Sequence, residues 1–97
     1  MTNIQKTLII TGGLGGIGIA ISKFFHKKKY NIIIIDNKKK SQFAKIKFEN
    51  NKKFIEYYKI NLLNYKSIKS KFTSIKKKFK KIDVLINCAG IQYVKKI

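Results

Sequence analysis

The chain has 97 residues, 23 of them basic against four acidic for a net charge of +19, with one cysteine and neither proline nor tryptophan. That length makes one small domain, able to bury a core but below the usual size of a complete α/β enzyme. One thiol excludes an internal disulfide and suits a reducing cytoplasm. Every basic residue is lysine, so the arginine fork that best recognises bases and phosphates is missing. The charge therefore reads as solvated lysine faces, of the kind AT-rich codons produce, and not as a specific nucleic-acid or membrane surface.

The first apolar run, Leu8-Ile9-Ile10, predicts a buried strand. Its uncharged continuation to Ile21 is too short to span a membrane and carries glycines where a signal peptide has an unbroken core. The run leads into Thr11-Gly12-Gly13-Leu14-Gly15-Gly16-Ile17-Gly18. Such a turn lets backbone N–H groups approach a phosphate at the start of a helix, where unpaired donors and the helix dipole favour an anion. The octet fits two registers, G-x-G-x-x-G at Gly13, Gly15 and Gly18, and T-G-x-x-x-G-x-G at Thr11, Gly12, Gly16 and Gly18.

The helix that follows places Ile17, Ala20, Ile21, Phe24 and Phe25 on one stripe and closes at Lys27-Lys28-Lys29, with His26 expected on the surface. A second strand, Ile32–Ile35, ends at Asp36. A middle helix over 41–50 carries Phe43, Ala44, Ile46 and Phe48, and a third strand covers Phe54–Tyr58. Between Asn64 and Lys80 the residues Tyr65, Ile68, Phe72, Ile75 and Phe79 share one helix face, with Asn64 as N-cap. Val84-Leu85-Ile86 is the fourth strand, and Cys88 just beyond it reads as a buried, inert thiol.

This alternation predicts an α/β chain of the Rossmann type. Four parallel strands in the order 3-2-1-4, joined by three crossover helices, form the first half of a doubly wound fold. The expectation is one domain over residues 1–97, incomplete at its C-terminus, with the fourth strand at an edge that wants covering.

Asp36 lies 18 residues beyond Gly18, close to the spacing at which a carboxylate meets an adenosine ribose. It would accept from both ribose hydroxyls and repel a 2′-phosphate, which favours NAD over NADP. Lys38-Lys39-Lys40 is the opposing feature, read here as a solvated loop. With Asn87-Cys88-Ala89-Gly90 after the fourth strand and Asn61-Leu62 after the third, the ordered set resembles the short-chain dehydrogenases/reductases from about Lys6 to Gln92. It selects the register of Thr11, Gly12, Gly16 and Gly18.

The resemblance implies NAD(P)-dependent hydride transfer between an alcohol and a carbonyl. It places Thr11, Gly12, Leu14, Gly15, Gly16, Ile17 and Gly18 around the pyrophosphate and Asp36 at the adenosine ribose. Asn61 and Leu62 fall near the adenine, and Asn87, Ala89 and Gly90 near the nicotinamide ribose. Cys88 stands where the family usually has a second Asn, and Asn61 where it usually has Asp; Asn61 is equally well a turn residue. Ala89-Gly90-Ile91-Gln92 further resembles the 3-hydroxybutyrate dehydrogenases, which makes Gln92 a candidate substrate contact.

The family's catalytic Ser and Tyr-x-x-x-Lys pair are expected well beyond Gly90, so no catalytic residue and no metal ligand is assigned. Tyr65-Lys66-Ser67-Ile68-Lys69 matches by letter only, on the helix before the fourth strand. The expected reading is a cofactor-binding half, cytoplasmic, inactive alone, whose small alcohol or carbonyl substrate belongs to the full-length enzyme. A C-terminal half or further copies of itself are the candidate protein partners. A non-catalytic nucleotide-sensing or scaffold module is the alternative, ahead of a polycation that binds nucleic acid.

Overall fold

The computed structural model describes residues 5–49, 52–61 and 63–88. In chain order these form β1 (Thr7–Thr11), α1 (Gly16–Lys27), β2 (Asn31–Asp36), α2 (Lys40–Ala44), β3 (Ile55–Lys59), α3 (Tyr65–Phe79) and β4 (Val84–Asn87). The strands make one parallel sheet in the order β3-β2-β1-β4, as expected. Ile9 sits between Ile33 and Leu85 in the registers of its two neighbours.

Period-two alternation splits the strands between two cores. Leu8, Ile10, Ile32, Ile34, Ile55 and Tyr57 form one face, against which Ile21 and Phe25 of α1 and Phe43 of α2 pack. Ile9, Ile33 and Ile35 form the other with Ile60 and α3, through Ile68, Phe72, Ile75 and Phe79. Residues 32–35 of β2 are fully buried, because helices cover both of its faces; hence its unbroken isoleucine run. Asn64 caps α3 by accepting from the Ser67 amide at 3.1 Å. Tyr65, grouped with the α3 stripe by its spacing, stays exposed at the first helical position.

Four other details differ from expectation. The α1 stripe is rotated: Gly18, Ser22 and His26 are its buried residues, while Ile17 and Phe24 are exposed. Gly18 lets the helix approach the turn closely, so the small Ser22 is enclosed while Ile21 and Phe25 flank it against the core and Ile17 and Phe24 turn outward. His26, expected at the surface, is 6% exposed. Its Nε2 lies 2.9 Å from the Lys53 carbonyl and its ring meets Phe48 edge-on at 5.4 Å.

The middle helix ends at Ala44 and not near residue 50. Ile46 and Phe48, two residues apart, both join the first core, which helical spacing does not allow and an irregular chain does. Val84, Ile86 and Cys88 pack against that core while Leu85, on the opposite face, is 65% exposed. Cys88 is half-buried, less enclosed than its apolar setting suggested.

Candidate cofactor site

All four strands point their C-terminal ends to one edge of the sheet, so Thr11, Asp36, Lys59 and Asn87 end side by side. The chain runs from β1 outward through β2 and β3, then returns to place β4 on the other side of β1. Such a reversal opens a crevice at the strand ends, where doubly wound sheets take ligands.

The glycine-rich turn crosses this crevice. Gly12 has φ of 68°, a left-handed conformation that only glycine adopts without cost. Its amide and that of Gly13 donate to the Ile35 carbonyl at 2.8 and 3.4 Å, which pulls the turn onto the end of β2. Gly18 sits against the turn: an added Cβ would lie 2.5 Å from the Gly12 carbonyl oxygen and 2.7 Å from the Gly13 Cα. At Gly16 an added Cβ meets nothing within 4 Å among the described residues, so these leave the start of α1 open to close approach. Helix α1 has Gly15 as its N-cap, no side-chain cap and no acid in its first turn. Its leading N–H groups and dipole are therefore left to an anion. The residues present fit a dinucleotide pyrophosphate.

Asp36 closes one side. Its Oδ2 accepts from the Leu14 amide at 3.0 Å, and its Oδ1 from the amides of Asn37 and Lys38 at 2.7 and 3.3 Å. The carboxylate is thus fixed between turn and strand end, half-buried, with lone pairs left for further donors. On the other side Thr11 Oγ1 donates to Asn87 Oδ1 at 2.7 Å, and the Cys88 amide donates to the Thr11 carbonyl at 2.9 Å. Two residues singled out separately in the sequence are therefore in direct contact across β1 and β4.

Leu14 is buried in the first core with its amide on Asp36, and Ile17 is exposed. Asn61 Oδ1 accepts from the Leu63 amide at 2.9 Å, the turn role weighed for it. Leu62, Ala89, Gly90 and Gln92 lie outside the described residues. Tyr57 was expected only as a residue of the third strand. Its single O–H is shared between the Lys38 carbonyl, the nearer acceptor, and the Asp36 carbonyl at 3.2 Å, at the turn that follows Asp36. Its one signal in the sequence is its position in β3, two residues after Ile55 and so on the same inward face. Among the described residues no group of three or more His, Cys, Asp or Glu side chains is placed to hold a metal. Nor is any helix among them long and apolar enough to cross a membrane.

A parallel sheet whose order reverses beside a glycine-rich turn defines a dinucleotide-binding fold of the Rossmann type. The family model for short chain dehydrogenases matches residues 6–97, nearly the whole length, and the chain belongs to that family. It is 29% identical over 93 residues to an uncharacterized oxidoreductase of Saccharomyces cerevisiae, covering 96% of this chain and 29% of the yeast protein. A single-residue variant of ElxO with NADPH bound superimposes with a TM-score of 0.78 at 30% identity, over 91% of this chain and 36% of that one. A Leptospira borgpetersenii short chain dehydrogenase with bound NAD+ gives 0.74 at 30% identity, over 90% of this chain and 32% of that one. The chain thus spans about a third of the length of these relatives.

Proposed function

We propose that this chain is the cofactor-holding domain of an NAD-dependent short-chain dehydrogenase, an oxidoreductase moving a hydride between an alcohol and a carbonyl. The observation that carries this reading is the uncapped, unobstructed start of α1 beside the fixed Asp36 carboxylate. Gly16, Ile17 and Gly18 offer backbone N–H groups to the pyrophosphate beside the N-cap Gly15, whose own amide donates to the Gly12 carbonyl at 3.2 Å, on the turn that Thr11, Gly12 and Leu14 anchor. Asp36 accepts from the adenosine ribose hydroxyls, Asn61 and Leu62 flank the adenine, and Asn87, Ala89 and Gly90 lie toward the nicotinamide ribose. Gln92 is the candidate substrate contact.

Solved relatives include one with NADPH and one with NAD+, so the preference for NAD rests on Asp36 alone. A carboxylate repels a 2′-phosphate, whereas Lys38, Lys39 and Lys40 lie on exposed backbone beyond it. Bound dinucleotide would supply the hydride carrier; the chain's own residues bind and orient it. Tyr65 and Lys69, the sequence's match to the family's Tyr-x-x-x-Lys, belong to α3, which follows β3, the strand farthest from β4. The chain alone is accordingly expected to bind cofactor without turning over an alcohol, in a cytoplasmic setting that suits its single thiol.

Calorimetric titration with NAD and NADP at physiological salt tests the reading. Saturable NAD binding, tighter than NADP, supports it; binding of neither, or tighter NADP, overturns it.

A further inference from the structure

We propose that Tyr57 is a positioning residue that fixes Asp36, and through it the discrimination between a free ribose 2′-hydroxyl and a 2′-phosphate. The inference rests on the reading of Asp36 given above, and it adds a residue that touches no ligand.

Tyr57 lies on β3 opposite Ile34 of β2 and is 8% exposed. From there its hydroxyl reaches past the end of β2 to the carbonyls of Asp36 and Lys38, one on each side of Asn37. Its ring stacks on Phe43 of α2, centroids 5.2 Å apart and planes 17° off parallel. The β2–α2 turn is therefore held from beneath by one side chain anchored to both the sheet and the next helix.

On its upper side the same turn presents the Asn37 and Lys38 amides to Asp36 Oδ1, while the Leu14 amide holds Oδ2. The orientation of the carboxylate depends on that backbone staying in place. Burial, reinforced by the charge of Asp36, pushes the Tyr57 hydroxyl up to about 12, so it remains a donor throughout the physiological range.

Without the hydroxyl the Lys38 carbonyl loses that donor, while the Asp36 carbonyl keeps the Ile60 amide at 2.9 Å, so the turn relaxes beyond Asp36, at Asn37 and Lys38. Asp36 then ceases to be held toward the ribose, and the backbone carrying Lys38, Lys39 and Lys40 gains freedom to bring a cation to a 2′-phosphate. Loss of NAD affinity with retained or improved NADP affinity is the consequence. An indiscriminate scaffold residue would weaken both alike.

The test is calorimetry of NAD and NADP on the wild-type chain, Tyr57→Phe and Asp36→Ala, at about 0.15 M salt, with circular dichroism as the folding control. Tyr57→Phe keeps the ring and its stack on Phe43. The proposal predicts a folded variant whose NAD affinity falls on the order of fivefold, the worth of a lost hydrogen bond, while NADP affinity does not fall. Equal losses for both nucleotides, an unchanged ratio, or a Tyr57→Phe chain that is unfolded overturns it. Asp36→Ala separates the two levels: if it leaves NAD affinity intact, the Asp36 reading itself fails. If Asp36→Ala weakens NAD while Tyr57→Phe leaves the ratio unmoved, the reading stands and the role of Tyr57 is refuted.

Discussion

The Leu14 amide donates to Asp36 Oδ2 at 3.0 Å, joining the glycine-rich turn after β1 to the end of β2. One carboxylate thus organises the turn and is also the group proposed to meet the ribose. Replacing it by alanine leaves the Leu14, Asn37 and Lys38 amides without that acceptor. A loss of about 1–2 kcal/mol is expected, read in a thermal melt as roughly 4–8 °C for each kcal/mol in a domain of this size. Asp36→Asn retains one acceptor oxygen and should lose less.

Two glycines two residues apart should respond with opposite signs. Gly18→Ala drives a methyl group into the Gly12 carbonyl and should cost about 1–3 kcal/mol, as overpacking does. Gly16→Ala meets open space in the first turn of α1 and should leave stability unchanged or raise it by up to about 1 kcal/mol through helix propensity. The same methyl occupies the approach to the helix start, so Gly16→Ala should weaken dinucleotide binding. Paired melts and titrations check both signs.

Ser22 is fully buried on the inner face of α1, and its Oγ has no hydrogen-bond partner among the described residues. Ser22→Ala removes an unsatisfied hydroxyl and improves helix propensity, so it should stabilise the chain by about 1 kcal/mol. A denaturant titration gives the value directly; a loss of stability would show that the hydroxyl has a partner in solution.

Asp83 Oδ2 accepts from the Thr7 amide at 2.8 Å, and Lys81 Nζ lies 3.4 Å from Oδ1. The Thr7 N–H foremost, and Lys81 after it, hold the Asp83 carboxyl below its ordinary value. A depressed folded value stabilises the fold above the unfolded value, about 4, and that contribution fades as pH falls below it. Burial chiefly pushes Tyr57 and Tyr58 up to about 12. Their contribution is complete below the unfolded value of about 10 and is lost as pH rises toward about 12. Melts across pH should show both limbs; Asp83→Asn should flatten the acid one and Tyr58→Phe part of the alkaline one.

The strands were legible because β-branched runs separated by amphipathic segments have few alternative folds, and parallel order follows from the crossovers. That Asp36 and the glycine turn come together was legible because adjacent parallel strands of set length bring their C-terminal ends to one edge. His26 was not, since the Phe48 ring and Lys53 carbonyl that bury it lie more than twenty residues away. The short α2 escaped because Ile46 and Phe48 satisfy the core from irregular chain. Tyr57 read as one more apolar strand residue. What gives it a role is the meeting of β3 with the turn after β2, which no local pattern announces.

The central claim is that this chain's own glycine turn and Asp36 hold a nicotinamide dinucleotide. Nuclear magnetic resonance of the isotope-labelled chain titrated with NAD at physiological salt tests it most directly. Saturable shifts should concentrate at the amides of Leu14, Gly15, Gly16, Ile17, Gly18 and Asn37, leaving Ile68 and Ile75 on the inner face of α3 unmoved. Shifts scattered over the lysine-bearing faces and abolished by added salt, or no shifts at millimolar NAD, would contradict it.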